Sequence, residues 1–291
     1  MSIGLVSPPL AGRADQPAAA LEDKARRLDA RLRSLGSVLV AFSGGVDSAF
    51  LAWAAARALG PGALAVTAES PSYPDHHRQL ALRVAEAARL RHEFVRTDEL
   101  ERPEYRANPV DRCFYCKDEL YTTLTAVARE RGLAAIVDGN NADDRGDYRP
   151  GRRAARAFGV LSPLDEVDLG KDEIRQLSRQ AGLPTWDEPA SACLSSRIPY
   201  HSEVTGEKLR QIERAEDAVR ALGFRVVRVR HEADGARVEI GRDELAAAVA
   251  PPVAGRIEAA VREAGYARVT IDPRGYRTGS LNEGVVLRPV G

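Results

Sequence analysis

The sequence predicts an α/β chain: an open, mainly parallel sheet with helices on both faces, followed by a small C-terminal α+β domain. Three observations predict it. Short runs of β-branched and aromatic residues, such as Val38-Leu39-Val40-Ala41-Phe42, alternate with longer Ala/Leu-rich runs such as Ala49 to Leu59, which is the grammar of strand followed by helix. The first such junction, Ser43-Gly44-Gly45-Val46-Asp47-Ser48, sets two glycines at a helix N-terminus. From Thr205 the pattern changes to a helix followed by a strand that alternates apolar and charged residues. With 291 residues and 44% hydrophobic content, the chain can furnish a core for each part.

In chain order, residues 1–20 have no basic leader and no sustained apolar run, and are expected to be a loose tail. Leu21, Ala25, Leu28, Leu32 and Leu35 recur at three- and four-residue steps, predicting an amphipathic helix that stops at Gly36. In the loop after the first strand, Gly44 and Gly45 let the backbone aim its N–H groups at one point. Ser43 and Ser48 add hydroxyls there, so the loop is built to hold an anion. The Walker A pattern is absent, because no lysine follows the glycines.

Residues 63–68 form the second strand, and the loop Glu69-Ser70-Pro71-Ser72-Tyr73-Pro74 follows it. Ligands of an open parallel sheet lie beyond the carboxyl ends of its strands, so backbone atoms near Thr67 to Glu69 are placed to meet an adenine. Asp75 to Leu90 reads as a helix, with His76 and His77 as solvated residues at its start, and His92 to Arg96 as the third strand.

Cys113-Phe114-Tyr115-Cys116 then opens a helix expected over Asp118 to Arg131. That spacing puts two sulfurs on one turn, where the helix dipole, Arg112 and Lys117 favour thiolate. Such a pair is half a metal site. Residues 134–138 make the fourth strand, and Asp143 and Asp144 in the loop after it suit either Mg²⁺ or a solvated turn. The stretch from Asp187 to Tyr200 has weak periodicity and carries a lone Cys193 together with Arg197, the composition of a functional loop.

These features divide the chain into an ATP-binding domain over 21–203 and a substrate or oligomerisation domain over 204–291. In the second, Phe224 to His231 places Arg228 and Arg230 on one strand face, and an Asp234-Gly235 turn leads into a strand carrying Glu239. Such a pair can be mere surface ornament, but two arginines without an interleaved acid more often await an anion. The phrase Gly223-Phe224-Arg225-Val226 is echoed by Gly265-Tyr266-Ala267-Arg268-Val269.

Composition limits the function. Forty-two basic residues balance forty-two acidic ones, so no global field draws in a nucleic acid. No apolar stretch reaches membrane-spanning length, and three cysteines do not make a disulfide framework, so a cytoplasmic setting is expected.

The loop Ser43 to Ser48 resembles the Ser-Gly-Gly-x-Asp-Ser pyrophosphate loop of the PP-loop, or N-type ATP pyrophosphatase, superfamily. Leu161-Ser162-Pro163-Leu164, Lys171 and Gly182-Leu183-Pro184 resemble that superfamily's second phosphate element, which makes Lys171 a γ-phosphate contact. The loop Ala192-Cys193-Leu194-Ser195-Ser196-Arg197-Ile198-Pro199-Tyr200 and the Arg228-Val229-Arg230 strand narrow the resemblance. Taken together they are similar to the LarE-type ATP-dependent sulfur transferases of nickel-pincer nucleotide biosynthesis, over about Leu21 to Asn282. That resemblance implies adenylation of a carboxylate of a pyridinium biscarboxylic acid mononucleotide, then sulfur transfer with release of AMP.

Carried over by position, it implies that Ser43, Gly44, Gly45, Asp47 and Ser48 hold pyrophosphate, with Asp47 and Asp143 near Mg²⁺. Arg197, Arg228 and Arg230 would bind substrate anions, Glu239 would orient the substrate, and Cys193 would deliver sulfur. Members with a Cys-x-x-Cys pair as well bind a [4Fe-4S] cluster, here by Cys113, Cys116 and Cys193, and reload it from a sulfide source. Members with one cysteine sacrifice its sulfur. Zinc with a fourth ligand such as His201, or inert packing of Cys113 and Cys116, stand as alternatives, and the resemblance implies a homo-oligomer, a hexamer in the family. Other functions that remain open are an adenylating synthetase that uses ammonia, a thiolase acting on tRNA and a zinc-bearing nucleotide sensor.

Overall fold

A computed structural model describes residues 15–146, 150–189, 192–233 and 235–277. Its first unit carries a four-stranded sheet of β1 (Val38–Ala41), β2 (Ala63–Glu69), β3 (His92–Arg96) and β4 (Ala135–Val137), in the order β3-β2-β1-β4 with every pairing parallel. Leu161 adds one parallel bridge to Val137. The expected strand at Leu161 is thus a single bridge, because Pro163 has no N–H for a ladder and starts a helical turn.

Helix α1 (Asp15–Leu35) begins well before Leu21, so residues 15–20 are helical rather than tail. The tail expected over residues 1–14 lies outside the described residues. Helix α2 (Val46–Leu59) follows the first loop and α3 (Asp75–Ala87) follows the second. A short α4 (Pro103–Arg106) precedes α5 (Arg112–Glu130), which starts six positions before Asp118 and takes both cysteines into its first turns. Helices α6 (Gly151–Ala157), α7 (Pro163–Glu166) and α8 (Lys171–Gln180) complete the unit.

Alternation along β1 explains the three layers. Val38 and Val40 face a core with Leu28, Leu32, Ala49, Phe50 and Ile174, on the side of α1, α2 and α8. Leu39 points the other way, to Leu64, Tyr121 and Leu124 on the side of α5 and α6. The chain runs from β1 outward to β3 and then returns to place β4 on the other flank of β1. The loops after β1 and β4 therefore meet at a switch point, the crevice where such sheets bind ligands.

The second unit contains α9 (Gly206–Ala221), β5 (Val227–Glu232), β6 (Gly235–Ile240), α10 (Leu245–Ala248), α11 (Pro251–Glu263) and β7 (Arg268–Ile271). β5 and β6 form the expected antiparallel hairpin, with Arg228 opposite Glu239, while β7 joins β6 in parallel. Asp234 of the expected turn lies outside the described residues. The echoed phrase is a repeated helix-to-strand turn: Gly223 and Gly265 adopt φ of 105° and 102°, which side chains disfavour. Val227, Val229, Val238 and Ile240 pack beneath Ala215, Val219, Ile257 and Val261 of the two helices. The opposite face of the sheet carries the charged residues.

Candidate active site

The phosphate loop is bound to itself. The Ser43 amide donates to Ser48 Oγ at 3.2 Å, and Ser48 Oγ donates to the Gly45 carbonyl at 3.1 Å. Gly45 occupies the N-cap of α2 without any side-chain cap, leaving the helix's first N–H groups directed into the crevice. Two glycines make the crevice narrow. Gly44 has φ of 77°, and a Cβ there would lie 3.0 Å from Ala81 N of α3. A Cβ on Gly139, after β4, would lie 2.9 Å from Ser48 N, so the β4 loop rests against the α2 N-terminus.

Asp47, Asp143 and Lys171 converge here from three elements. Lys171 Nζ donates to Asp47 Oδ2 at 2.6 Å, and the Lys171 amide donates to Asp143 Oδ2 at 2.7 Å. Asp47 Oδ1 is buried without a hydrogen-bond partner. An orphaned carboxylate oxygen beside an anion loop fits a Mg²⁺ that accompanies a polyphosphate. Asp144 does not join the group: its side chain accepts from the Asn141 amide within the turn, and the residue is buried rather than solvated as the turn reading expected.

The cysteines come together through one strap. Asn108, at φ of 54°, donates from Nδ2 to the carbonyls of Ile198, Pro199 and Ser202, and Arg112 Nη1 donates to the Ser195 carbonyl at 2.9 Å. Tyr105 and Ser195 share a hydroxyl bond of 2.6 Å, while Tyr105, Leu194, Ile198 and Val204 form an apolar cluster against Cys116. The Leu194 amide donates to the Ser72 carbonyl, tying the loop of Cys193 to the loop after β2. As a result Cys116 and Cys193 line one cavity with Ser43, Thr67, Ser72, Tyr73 and Lys117.

The expected thiolate character is reversed in the protein alone. Burial among protein atoms raises the Cys113 thiol although the residue is exposed by area, and Arg112 lowers it less than burial raises it. Cys116 is pushed well up, by burial first and then by Glu99, Cys193 and Cys113. Arg112 and Lys117 act in the expected direction, but they do not offset desolvation and mutual repulsion. Among the described residues, no group of three or more His, Cys, Asp or Glu could hold a metal ion as arranged.

Two further expectations differ from the structure. Arg197, expected at the substrate, is wholly buried: Nε and Nη2 donate to Glu216 at 2.7 and 3.0 Å, and Nη1 donates to the carbonyls of Ala192 and Cys193. It holds the cysteine loop from behind. His76 and His77, expected to be solvated, are half-buried and buried beside Arg220 and Arg228; burial first, then His77 and Arg220 for His76 and Arg197 and Arg228 for His77, lower them to about 2 and about 3.

Arg228 and Arg230 share a face but not an environment. Arg230 donates to Glu239 Oε2 at 2.8 Å and to the Ser196 carbonyl at 2.8 Å, and buried Glu239 also receives Arg237. Arg228 lies 5.1 Å over the ring of Tyr276 and lines a second cavity, of about 190 Å³, with His77, Glu188, Arg220, Phe224 and Arg225. Burial and the nearby guanidinium of Arg197 lower it to about 10.

With that geometry in hand, comparison with known proteins decides the family. The asparagine synthase family matches residues 23–143. An uncharacterised protein of Synechocystis is 43% identical over 90% of this chain and 98% of its own. The pyridinium-3,5-bisthiocarboxylic acid mononucleotide synthase of Lactiplantibacillus plantarum is 34% identical over 91% of this chain and 96% of its own. The chain belongs to the LarE-type ATP-dependent sulfur transferases. It is an adenylating enzyme of the PP-loop superfamily. An uncharacterised protein of Methanocaldococcus jannaschii is 27% identical over 71% of this chain.

Within this LarE-type chain the structure unites the Ser43 to Ser48 loop with Asp143 and Lys171, and brings Cys116 and Cys193 onto a cavity that Ser43 also lines. Glu216, Asn108, Tyr105 and Glu99 escaped the sequence reading as site residues. Glu216 had a legible signal: with Leu209, Ile212 and Val219 it falls on the apolar stripe of α9, where a carboxylate needs a partner. Glu99 had none, since its buried carboxylate accepts from Ser70 and Ser72, which are near only in space. No helix of the described residues is long and apolar enough to cross a membrane.

Proposed function

We propose that this enzyme adenylates a carboxylate of pyridinium-3,5-biscarboxylic acid mononucleotide and replaces the AMP with sulfur to give the thiocarboxylate. The observation that carries the reading is the shared cavity: Ser43 of the anion loop and the sulfurs' residues Cys116 and Cys193 line one space. A carboxylate activated there needs no transfer to a second site before sulfur meets it.

Residues 21–203 serve as the ATP-binding unit and residues 204–291 as the substrate and oligomerisation unit. Ser43, Gly44, Gly45 and Ser48 hold the leaving pyrophosphate, and Lys171 neutralises it. Asp47 and Asp143 accept Mg²⁺, the orphaned Asp47 Oδ1 being a free ligand oxygen. Arg228 binds an anionic group of the mononucleotide from the second cavity. Arg230 and Glu239 orient that side of the site, and Arg197 fixes the carbonyls immediately before and after the Cys193 side chain.

Cys113, Cys116 and Cys193 fit an iron-sulfur cluster better than one ion. Cys193 raises the thiols of both Cys113 and Cys116, and Cys113 raises that of Cys116, which supports their being near one another. Thiolate ligands spread over several irons suit that arrangement, and cationic Arg112 and Lys117 offset the charge. When bound through three cysteines, a [4Fe-4S] cluster supplies an iron without a protein ligand, where an exchangeable sulfide can be carried. The reading further has the enzyme act in the cytoplasm as a homo-oligomer, resupplied by a separate sulfide source.

The test is iron and acid-labile sulfide content after anaerobic purification, with pyrophosphate release assayed with and without the pyridinium substrate. About four irons per chain, substrate-dependent release, an unchanged polypeptide mass after turnover and loss of repeated turnover in Cys113→Ser are the expected results. Iron-free protein that loses one sulfur from Cys193 would instead make that cysteine a sacrificial donor, and stoichiometric zinc would make the triad structural. Release without the pyridinium substrate would remove the substrate assignment.

A further inference from the structure

We propose that Lys117 is a nucleotide-binding and catalytic residue that holds the α-phosphate of ATP, and then of AMP, at the point where the phosphate loop and the cysteines meet. The proposal rests on the shared cavity being the nucleotide site, but not on the identity of the carboxylate.

Two lysines belong to this crevice, and their surroundings differ. Lys171 is already paired, with Asp47 at 2.6 Å. Lys117 is half-buried and lines the cavity of Ser43, Thr67 and Cys193. Among the described residues its ammonium meets the ring face of Tyr121, 5.5 Å from the centroid, and no carboxylate. A partly desolvated cation without a counter-ion is costly unless an anion arrives.

Its stem is also fixed. A Cβ on Gly151 would lie 2.9 Å from Lys117 Cγ, so the α6 N-terminus closes on the lysine as only a glycine permits. Tyr121, beneath the ammonium, is itself tied through its hydroxyl to Asp138 at 2.9 Å. Asp138 directly follows β4 and also accepts from Ser162 and Asn140. The ammonium is thus held by the strand end next to the phosphate loop, on a helix that begins at the cysteines. It lines the cavity together with Cys116 and Cys193, whereas Lys171 pairs with Asp47.

The division of labour follows. During adenylation a carboxylate oxygen forms a bond to the α-phosphorus while the bond from that phosphorus to the bridging oxygen breaks, and the electron pair leaves on pyrophosphate. Lys171 and the Gly44-Gly45 loop receive the pyrophosphate. Lys117 stabilises the charge on the α-phosphoryl oxygens and retains the adenylate next to the sulfur.

The experiment titrates AMP and inorganic pyrophosphate calorimetrically, with Mg²⁺, against the full chain and its Lys117→Met and Lys171→Met variants. Both anaerobically prepared and chelator-treated protein are used. Lys117→Met should weaken AMP by at least about tenfold, the value of a lost charge-assisted bond, and pyrophosphate by less than about twofold. Lys171→Met should show the reverse. Retained pyrophosphate binding also shows that the variant is folded. AMP binding unchanged in Lys117→Met overturns the proposal, as does an equal loss of both ligands. A difference confined to the anaerobic preparation also overturns it, because the lysine would then act through the cysteines. Wild-type protein that binds AMP through Lys117 yet releases no pyrophosphate with the pyridinium mononucleotide would refute the substrate reading alone.

Discussion

At the residue scale, Glu216 decides how the second unit holds the reactive loop. Its carboxylate is wholly buried; burial raises it, but Arg197, Arg228 and Arg220 more than reverse that and hold it at about 2. It receives Arg197 and Arg220 and the Val229 amide, so one carboxylate joins the cysteine loop, α9 and β5. Glu216→Gln should cost about 3–5 kcal/mol, because a buried guanidinium then stands unpaired, and urea unfolding at pH 7 checks it. The acid limb follows from the signs. Glu216 lies below its ordinary 4.5, so its contribution is complete above that pH and is lost as pH falls toward 2. His76 and His77 stay neutral when folded but charge below 6.5 when unfolded, so stability starts to fall from near pH 6.5. In Glu216→Gln the histidine-driven slope should persist and the slope below 4.5 should flatten.

At the element scale, the phosphate loop works because two other elements press on it. The strand-loop-helix order was readable from Val38 to Leu59, since periodicity and paired glycines are local signals. What the glycines avoid was not readable. Gly139→Ala would drive a Cβ toward Ser48 N, starting from 2.9 Å, and displace the α2 N-terminus at the proposed anion site. ATP affinity should fall at least about tenfold, with a stability loss of about 1–3 kcal/mol from overpacking. Gly36→Ala, which meets nothing within 4 Å, should strain a backbone at φ of 72° and leave nucleotide affinity unchanged. Parallel titrations of the two variants separate a loop held by neighbours from one that merely turns.

At the scale of the whole molecule, the two halves of the sulfur site are joined by the strap at Asn108. Its side-chain amide reaches three carbonyls beyond Cys193, and Arg112 reaches a fourth. Asn108→Ala removes the donor to the buried Ile198 carbonyl and to the part-buried carbonyls of Pro199 and Ser202, so the Cys193 loop should part from α5 while the phosphate loop stays intact. Iron incorporation should drop severalfold with ATP affinity within about twofold, since the lost bonds lie outside the phosphate loop. Equal losses of both would mean that the strap supports the entire fold.

The sequence alone determined the α/β class, the strand-to-helix loop from Ser43 to Ser48, the hairpin of Arg228 and Glu239, and the three cysteines as a group of interest. Each is carried by neighbours in the chain, through hydrophobic period, turn chemistry or residue type. Tertiary structure alone decided that Arg197 faces Glu216 rather than open space, that His77 is buried and His76 half-buried, that the thiols of Cys113 and Cys116 are raised, and that Lys117 meets no carboxylate among the described residues. Those properties are set by desolvation and by charges brought from distant segments. A guanidinium reads the same in a sequence whether water or a buried carboxylate awaits it, and only packing distinguishes the two.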